Sequence, residues 1–298
     1  MKFDKRILVT GGTGFVGIKL RSVLAAHGHW VSIATRSPQA QRDGIAGIDY
    51  VPWLPDMAKY DAVVNLAGAN IFGQRWSDSF KAEIRASRVE GTKKLVDALA
   101  AAQKKPAVLV NASAIGIYGD QGDRVLNEGA PLASDFLAEV CSAWEREAQR
   151  AESLGVRVVT VRIGVVLGRG GGALAAMLTP FKLGVGGPIG NGQAWFSWIH
   201  IHDLAELIHT CIADANVRGP VNAVAPGACT NKIYTKALGR ALKRPTIFPL
   251  PPFALKLMLG EVAGVITGSQ RCEPAVAQKL GFKFKYPDID SALQHILT

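Results

Sequence analysis

The sequence predicts an α/β protein in which helices cover both faces of a parallel sheet. Two observations carry this prediction. Aliphatic strands alternate with helical segments through the first half of the chain, and a glycine-rich turn joins the first strand to the first helix. The chain has 298 residues and 48% hydrophobic content, which is enough for a large core. We therefore expect a doubly wound domain with a smaller lobe attached.

The chain opens with a strand, a turn and a helix. Residues 7–9 are aliphatic, residues 15–26 have a helical pattern, and residues 30–34 read as a second strand. Glycines in such a turn let the backbone approach a pyrophosphate, whose charge is favoured by the free N–H groups at the start of a helix. This pattern is typical of a Rossmann-type dinucleotide site. The residues of the turn that we expect to contact the cofactor are Gly11, Gly12, Thr13, Gly14, Phe15, Val16 and Gly17.

The end of the second strand indicates which dinucleotide is bound. NAD sites usually place an acidic residue about 20 positions after the glycines, where it accepts hydrogen bonds from the ribose. Here the strand ends in Thr35, Arg36 and Ser37, and no carboxylate occurs before Asp43. A guanidinium and two hydroxyls suit a 2′-phosphate. We expect NADP (as NADPH) rather than NAD, the alternative being that Arg36 is an ordinary surface residue.

The remaining elements follow in alternation. Four more strands are predicted at 48–51, 61–66, 107–112 and 156–161, with long helices at 78–102 and 135–154. Near Leu167 the composition becomes rich in Gly and Pro. We predict a Rossmann core over residues 1–167, joined by a returning strand at 221–224. Residues 168–298 should form a mainly substrate-binding lobe, including a helical C-terminal region at 249–298.

Ligands of parallel sheets bind at the carboxyl ends of the strands, so the residues that follow each strand are the candidate site. Those expected to contact the cofactor are Leu66, Ala67 and Gly68 after the fourth strand, Ser113 after the fifth, and Arg162 and Gly164 after the sixth. Tyr118 and Ser113 place hydroxyls beside the same crevice. We expect Tyr118 to be the first candidate for the catalytic acid, with His200 the second.

Two residues on the buried faces of the long helices need an explanation. Arg88 shares a face with Phe80 and Ile84, so its guanidinium must meet a carboxylate, backbone carbonyls or a ligand phosphate. An ion pair is the favoured partner, and a cofactor contact is the other reason to include Arg88 in the site. Cys141 lies beside the inward stripe of its helix with no histidine nearby in sequence, so a catalytic thiol is not expected.

Composition excludes several other classes of protein. The net charge of +10 comes from scattered Lys and Arg, which favours anionic cofactors and small anionic substrates over nucleic acid. No apolar stretch is long enough to span a membrane, and no signal peptide is recognisable. The four cysteines and six histidines show no metal-ligand spacing, so no metal is expected. Free cysteines fit a cytoplasmic protein. The oligomeric state is left open.

Several sequence motifs resemble the extended short-chain dehydrogenase/reductase superfamily, which includes the nucleotide-sugar epimerases and dehydratases. These are GGTGFVG, DAVVNLAG, the segment from Ser113 to the Tyr-Gly pair, and WIHIHDLA. NLAGANIFGQRW, SAIGIYGD, DFLAEVCSAWE and GVVLGRGGGAL are similar to an atypical branch, the bacterial epimerase family proteins of the YfcH type. The resemblance covers essentially the whole chain. It implies a Rossmann fold, a nicotinamide cofactor and oxidoreductase or epimerase chemistry.

One departure from the superfamily affects the expected chemistry. The superfamily uses Tyr-x-x-x-Lys on a helix, where the lysine lowers the pKa of the phenol, but none of the five tyrosines here is followed by lysine at that spacing. The corresponding helix offers Phe136 or Leu137, then Val140 or Cys141. Two hypotheses follow. The chain is an NADP-dependent enzyme with a non-standard acid, which we favour, or a catalytically silent NADP(H)-binding sensor.

Overall fold

A computed structural model describes residues 4–38 and 46–298. Its main feature is a seven-stranded parallel sheet with the strand order β3-β2-β1-β4-β5-β7-β11. The strands are β1 (Arg6–Thr10), β2 (Trp30–Thr35), β3 (Ile48–Pro52), β4 (Ala62–Asn65), β5 (Val108–Ala114), β7 (Arg157–Ile163) and β11 (Gly219–Ala223). The predicted Rossmann-type fold is confirmed. The order reverses between β1 and β4, which is where doubly wound sheets bind their ligands.

Three pairs of short strands lie outside this sheet, and the sequence pattern did not predict them. They are β6 (Val125–Leu126) with β13 (Arg271–Cys272), β8 (Val165–Leu167) with β10 (Trp198–His200), and β9 (Trp195–Phe196) with β12 (Cys229–Thr230). Strands of two or three residues are too short for a periodic pattern to identify. They connect the segments after β5 and β7 to the C-terminal half of the chain.

Ten α-helices are found in the described residues. They are α1 (Phe15–Ala26), α2 (Asp78–Ala101), α3 (Phe136–Gln149), α4 (Gly172–Lys182), α5 (Ile201–Ala213), α6 (Asn231–Leu242), α7 (Pro252–Leu259), α8 (Ala263–Thr267), α9 (Ala275–Lys279) and α10 (Ile289–Leu297). The helix predicted over 135–154 is shorter than expected, because residues Arg150–Leu154 form a tighter 3₁₀ turn that ends at Gly155. No helix among the described residues is long and apolar enough to cross a membrane.

Both faces of the sheet are buried, as the aliphatic strands require. Alternate residues point to opposite faces. Ile7 and Val9 join a cluster with α1 and α5, whereas Leu8 joins a cluster with α2 and the end of α3. A further cluster combines side chains of α4, α6 and α10 with Trp198, and it forms a second core in the C-terminal half. Since α5 and α9 pack on the main sheet, residues 168–298 contribute to both cores.

Candidate functional site

The glycine turn after β1 is shaped by three close approaches of backbone. Gly11 has a φ of +68°, and a Cβ there would lie 2.7 Å from the carbonyl of Leu66, at the end of β4. A Cβ at Gly17 would lie 2.3 Å from the oxygen of Gly11, and one at Gly12 would lie 2.6 Å from the side chain of Ile33. These glycines allow the turn, α1 and β4 to pack closely.

The start of α1 is open and suited to an anion. Gly14 is the N-cap residue, so no side chain caps the helix, and the first turn contains no acidic residue. Thr13 and Gly14 are exposed. A Cβ at Gly14 would have one neighbour, the oxygen of Gly11 at 3.3 Å. The first N–H groups of a helix have no partner within the helix. This observation fits a dinucleotide whose pyrophosphate is held at the helix N-terminus.

The end of β2 presents a cation to the same edge of the sheet. Arg36 is exposed and forms no ion pair with any described residue, and Thr35 Oγ1 accepts a hydrogen bond from Ser37 N at 3.3 Å. The described residues of this segment include no carboxylate, and Asp43 lies outside them. A positive group without an acidic neighbour suits a phosphate better than a ribose diol.

Phe15, predicted as a cofactor contact, has its ring against the glycine-rich segment after β8. A Cβ at Gly171 would lie 2.4 Å from the ring, and at Gly172 it would lie 2.9 Å from it. The run of glycines at 168–172 therefore accommodates this ring. Val16 and Leu66 likewise pack their side chains against the main core and remain partly exposed. The sequence shows the glycines near residue 170, but it does not show that they pack against Phe15.

A buried polar network joins the carboxyl ends of three strands, and sequence reasoning missed it. Thr10 Oγ1 donates to Asn65 Oδ1 at 2.6 Å, and the Asn65 amide donates to Asn111 Oδ1 at 2.7 Å and to Thr92 Oγ1 at 2.8 Å. Trp144 Nε1 also donates to Thr92 Oγ1, at 2.8 Å. These bonds tie β1, β4 and β5 to α2 and α3, so the edge of the sheet that forms the crevice is rigid.

Arg88 lies against the loop after β4. A Cβ at Gly68 would lie 3.0 Å from Arg88 Cζ, so the guanidinium packs directly on the backbone there. Its nitrogens donate to the carbonyl oxygens of Ala69, at 3.1 Å, and Ile84, at 3.2 Å, and its Cζ lies 5.3 Å from the centre of the Trp144 ring. The prediction that Arg88 forms an ion pair is wrong, since no described carboxylate pairs with it. Burial lowers the pKa of this guanidinium.

Ser113 lies at the end of β5 and is buried. Its Oγ has no nitrogen or oxygen partner among the described residues, and the thiol of Cys141 lies beside it. Burial raises the pKa of that thiol to about 11. Cys141 is therefore protonated at neutral pH and is not a nucleophile. The thiol is thus the hydrogen-bond partner of the Ser113 hydroxyl among the described residues, and a ligand that reaches this buried end of β5 could offer it a stronger one.

Tyr118 is not available as the acid that the sequence led us to expect. It is fully buried, and its hydroxyl donates to Asn222 Oδ1 at 2.7 Å and accepts from Arg162 Nη1 at 2.9 Å. Arg162 itself forms a bidentate, buried ion pair with Glu145, with both distances 2.9 Å. Burial raises the pKa of Tyr118 to about 12. Tyr118 and Arg162 therefore form a buried structural network, in which the Tyr118 hydroxyl is already bonded to two partners.

His200, the second candidate acid, is also buried. Its Nδ1 accepts the N–H of His202 and caps α5, and its Nε2 lies 3.2 Å from Nδ1 of His295. Burial, followed by the neighbouring His295, lowers the pKa of His200 to about 3. The ring is therefore neutral at physiological pH. Gly164 is similarly enclosed, since a Cβ there would lie 2.8 Å from Ser197 O.

Residues 189–191 of the Gly- and Pro-rich segment line a cavity. The cavity has a volume of about 310 Å³, and its walls are Ile189, Gly190, Asn191, Ala194, Asn231, Pro252, Ile266 and Thr267. Trp198 does not line this cavity, since it is fully buried and donates to the oxygen of Gly227. The large Trp198 side chain instead fills the second core, between α4, α6 and α10.

The fold and the open helix start define a dinucleotide-binding protein of the Rossmann class. Residues 7–224 match the model of the NAD dependent epimerase/dehydratase family, and residues 250–296 match a domain of unknown function, DUF1731. Because the first match covers more than half of the chain, the chain belongs to the NAD dependent epimerase/dehydratase family, as its motifs indicated.

Relatives and solved structures agree with this assignment. The chain is 42% identical to the chloroplastic epimerase family protein SDR39U1 homolog of Arabidopsis thaliana, covering 98% of this chain and 86% of the relative. It is 38% identical to the epimerase family protein YfhF of Bacillus subtilis, with 98% of both chains covered. The crystal structure of human epimerase family protein SDR39U1 with NADPH is similar with a TM-score of 0.90 and 35% identity, covering 98% of this chain and 99% of that one.

Proposed function

We propose that this protein binds NADPH and uses it to reduce a small carbonyl compound or activated alkene. The observation that carries the cofactor assignment is the exposed Arg36 at the end of β2, with no described carboxylate beside it. The similar human protein crystallised with NADPH supports the same assignment. Gly14 and the open N–H groups of α1 would hold the pyrophosphate, and Arg36 with Thr35 would hold the 2′-phosphate.

Two groups at the ends of β4 and β5 are suited to the reacting end of such a site. Bound NADPH supplies a hydride. The Ser113 hydroxyl, which lacks an oxygen or nitrogen partner among the described residues, can donate a hydrogen bond to the oxygen of a carbonyl. Arg88 adds a positive charge with no described carboxylate beside it, which stabilises an oxyanion and favours an anionic substrate. Ser113 would thus donate a hydrogen bond to the oxyanion that forms as the hydride is transferred, and Arg88 would supply charge in place of the missing lysine. The proton that completes the product would come from water.

The cofactor assignment predicts the effect of removing Arg36. Arg36→Ala should weaken NADPH binding by about tenfold, or about 1.4 kcal/mol, and leave NADH binding unchanged, because only NADPH carries the 2′-phosphate. Titration of both cofactors against both proteins measures this. Arg85→Ala, which removes an exposed arginine from α2, is the matched control. Equal affinity of the wild type for the two cofactors would contradict the assignment.

The reductase hypothesis predicts turnover that depends on Ser113. In single-turnover experiments at high protein concentration, loss of NADPH absorbance should be detected with at least one member of a panel of small carbonyl compounds and activated alkenes. Ser113→Ala should slow that reaction by about tenfold or more without changing NADPH affinity, because a donor to the developing oxyanion is lost. Cys141→Ser, a neighbouring conservative change, should keep the activity.

A silent NADPH-binding sensor is the second candidate, and the enclosed hydroxyl of Tyr118 favours it. The two functions differ in one measurement. If no compound of the panel is reduced while tight NADPH binding is confirmed in the same preparation, the sensor hypothesis replaces the reductase.

A further inference from the structure

A cluster of histidine and acidic side chains lies at the end of α1 remote from the glycine turn. His27 and His29 flank the glycine that follows α1, and Glu206 and His209 lie three residues apart on α5. Residues at this spacing share one helix face. His27 Nε2 lies 2.9 Å from Glu206 Oε2, and the rings of His27 and His209 stack with their centres 3.8 Å apart. The fold thus brings together residues that the sequence separates by about 180 positions.

We propose that His27, Glu206 and His209 bind a divalent transition-metal ion, with Zn²⁺ the ion that suits them best. One ligand atom from each of the three residues lies within 4.8 Å of the other two. Imidazole nitrogen with carboxylate oxygen is a donor set that Zn²⁺ accepts, whereas Mg²⁺ favours oxygen ligands and water. The spacing of histidines and cysteines along the sequence does not predict this site, because its ligands come from α5 and from the turn after α1.

The contact and the exposure of His27 are compatible with metal binding. The contact between His27 and Glu206 has the length of an ordinary hydrogen bond. A metal ion between the two side chains would take the place of the hydrogen-bonding proton. Since the side chain of His27 is 42% exposed, its ring can rotate to direct a lone pair at the ion.

His29 supports the proposed ligands from the buried side. Its Nε2 lies 3.1 Å from Nε2 of His209, and its Nδ1 lies 3.6 Å from Asp4 Oδ2. At that distance Asp4 acts on His29 through its charge and not through a hydrogen bond. His29 is thus placed either to hold the ring of His209 or to complete the set as a further ligand. Asp4 adds negative charge to the cluster, and Lys5 is the nearby cation that opposes it.

The metal would connect two helices of the core and would not touch the cofactor. Helix α1 has 12 residues and is about 18 Å long, so the cluster lies well away from Gly14. An ion held by the turn after α1 and by α5 would stabilise the contact between these helices. The proposal is therefore independent of the proposed reductase function and can be tested without NADPH.

The test is calorimetric titration of Zn²⁺ into the full chain after treatment with a chelator. We expect one equivalent of Zn²⁺ to bind and to raise the melting temperature. His209→Ala and His27→Gln should each weaken binding about tenfold or more, since loss of even an outer-shell partner costs that much. His27 is exposed, so its variant tests the proposal even if His209→Ala disturbs the fold. His202→Ala, on the first turn of α5, is the matched control and should bind as the wild type does.

Two further measurements separate this site from unspecific binding. Mg²⁺ should not bind, and Co²⁺ should give visible d–d bands without the thiolate charge-transfer absorption that coordination by a cysteine produces. Unchanged affinity in both His27→Gln and His209→Ala would overturn the proposal, as would thiolate absorption with Co²⁺.

Discussion

Gly14→Val should weaken NADPH binding by about a hundredfold or more, about 2.7 kcal/mol, while the protein stays folded. Gly14 has a φ of −79° and a ψ of 174°, an extended conformation that any residue adopts, so the fold does not require glycine here. The valine methyl groups would instead occupy the space in front of the first N–H groups of α1. The pyrophosphate needs that space in the proposed binding mode.

The measurement is cofactor titration together with thermal unfolding with and without NADPH. Gly91→Val is the matched control, because a Cβ at Gly91 has no neighbour within 4 Å and the residue lies in α2. That variant should bind NADPH normally. If Gly14→Val is still stabilised by NADPH to the same extent as the wild type, the pyrophosphate does not lie at this turn.

Arg162→Met should destabilise the fold by about 3–5 kcal/mol, because it leaves the carboxylate of Glu145 buried without its partner. Burial disfavours the charge on Arg162, but Glu145 more than offsets this effect and raises the pKa of the guanidinium. The Tyr118 hydroxyl loses a donor as well. Urea unfolding monitored by circular dichroism measures the loss.

The double variant Arg162→Met with Glu145→Met should recover much of the stability lost in the single variant, since it removes both charges. Arg150→Met is the control: Arg150 pairs with Glu147 and Asp97 at the surface, and its loss should leave the unfolding midpoint nearly unchanged. If Arg162→Met unfolds at the same urea concentration as the wild type, the network is not the structural element that we describe.

The main sheet could be predicted from the sequence because its signals are local. Aliphatic runs such as residues 7–9 identify buried strands, and the glycines that follow identify the turn and the helix start. The observed bounds of α1 equal the predicted ones, residues 15–26. Strand β5 extends two residues further than predicted, to Ala114, because Ser113 and Ala114 pair with Arg162 and Ile163 despite weaker aliphatic character.

The roles of the polar residues could not be predicted, because they depend on contacts between distant segments. Tyr118 follows the end of a strand, as a catalytic group would. Its hydroxyl is nevertheless occupied by hydrogen bonds to Asn222 and Arg162, which lie on two other strands. Arg88 was expected to need a partner, and its guanidinium donates hydrogen bonds to backbone carbonyls instead of to a carboxylate. A sequence shows which residues carry hydrogen-bonding groups, but the tertiary fold decides which of those groups remain free.

The ring of Phe15 has a consequence for how α1 and α4 are packed together. Phe15 is the first residue of α1, and its ring packs against the glycines at 171 and 172, where α4 of the second core begins. A displacement of α4 would therefore press on the same residue that opens the phosphate-binding helix. A larger side chain at either glycine would displace the ring of Phe15, so the packing of α4 and the start of the phosphate-binding helix depend on the same aromatic side chain.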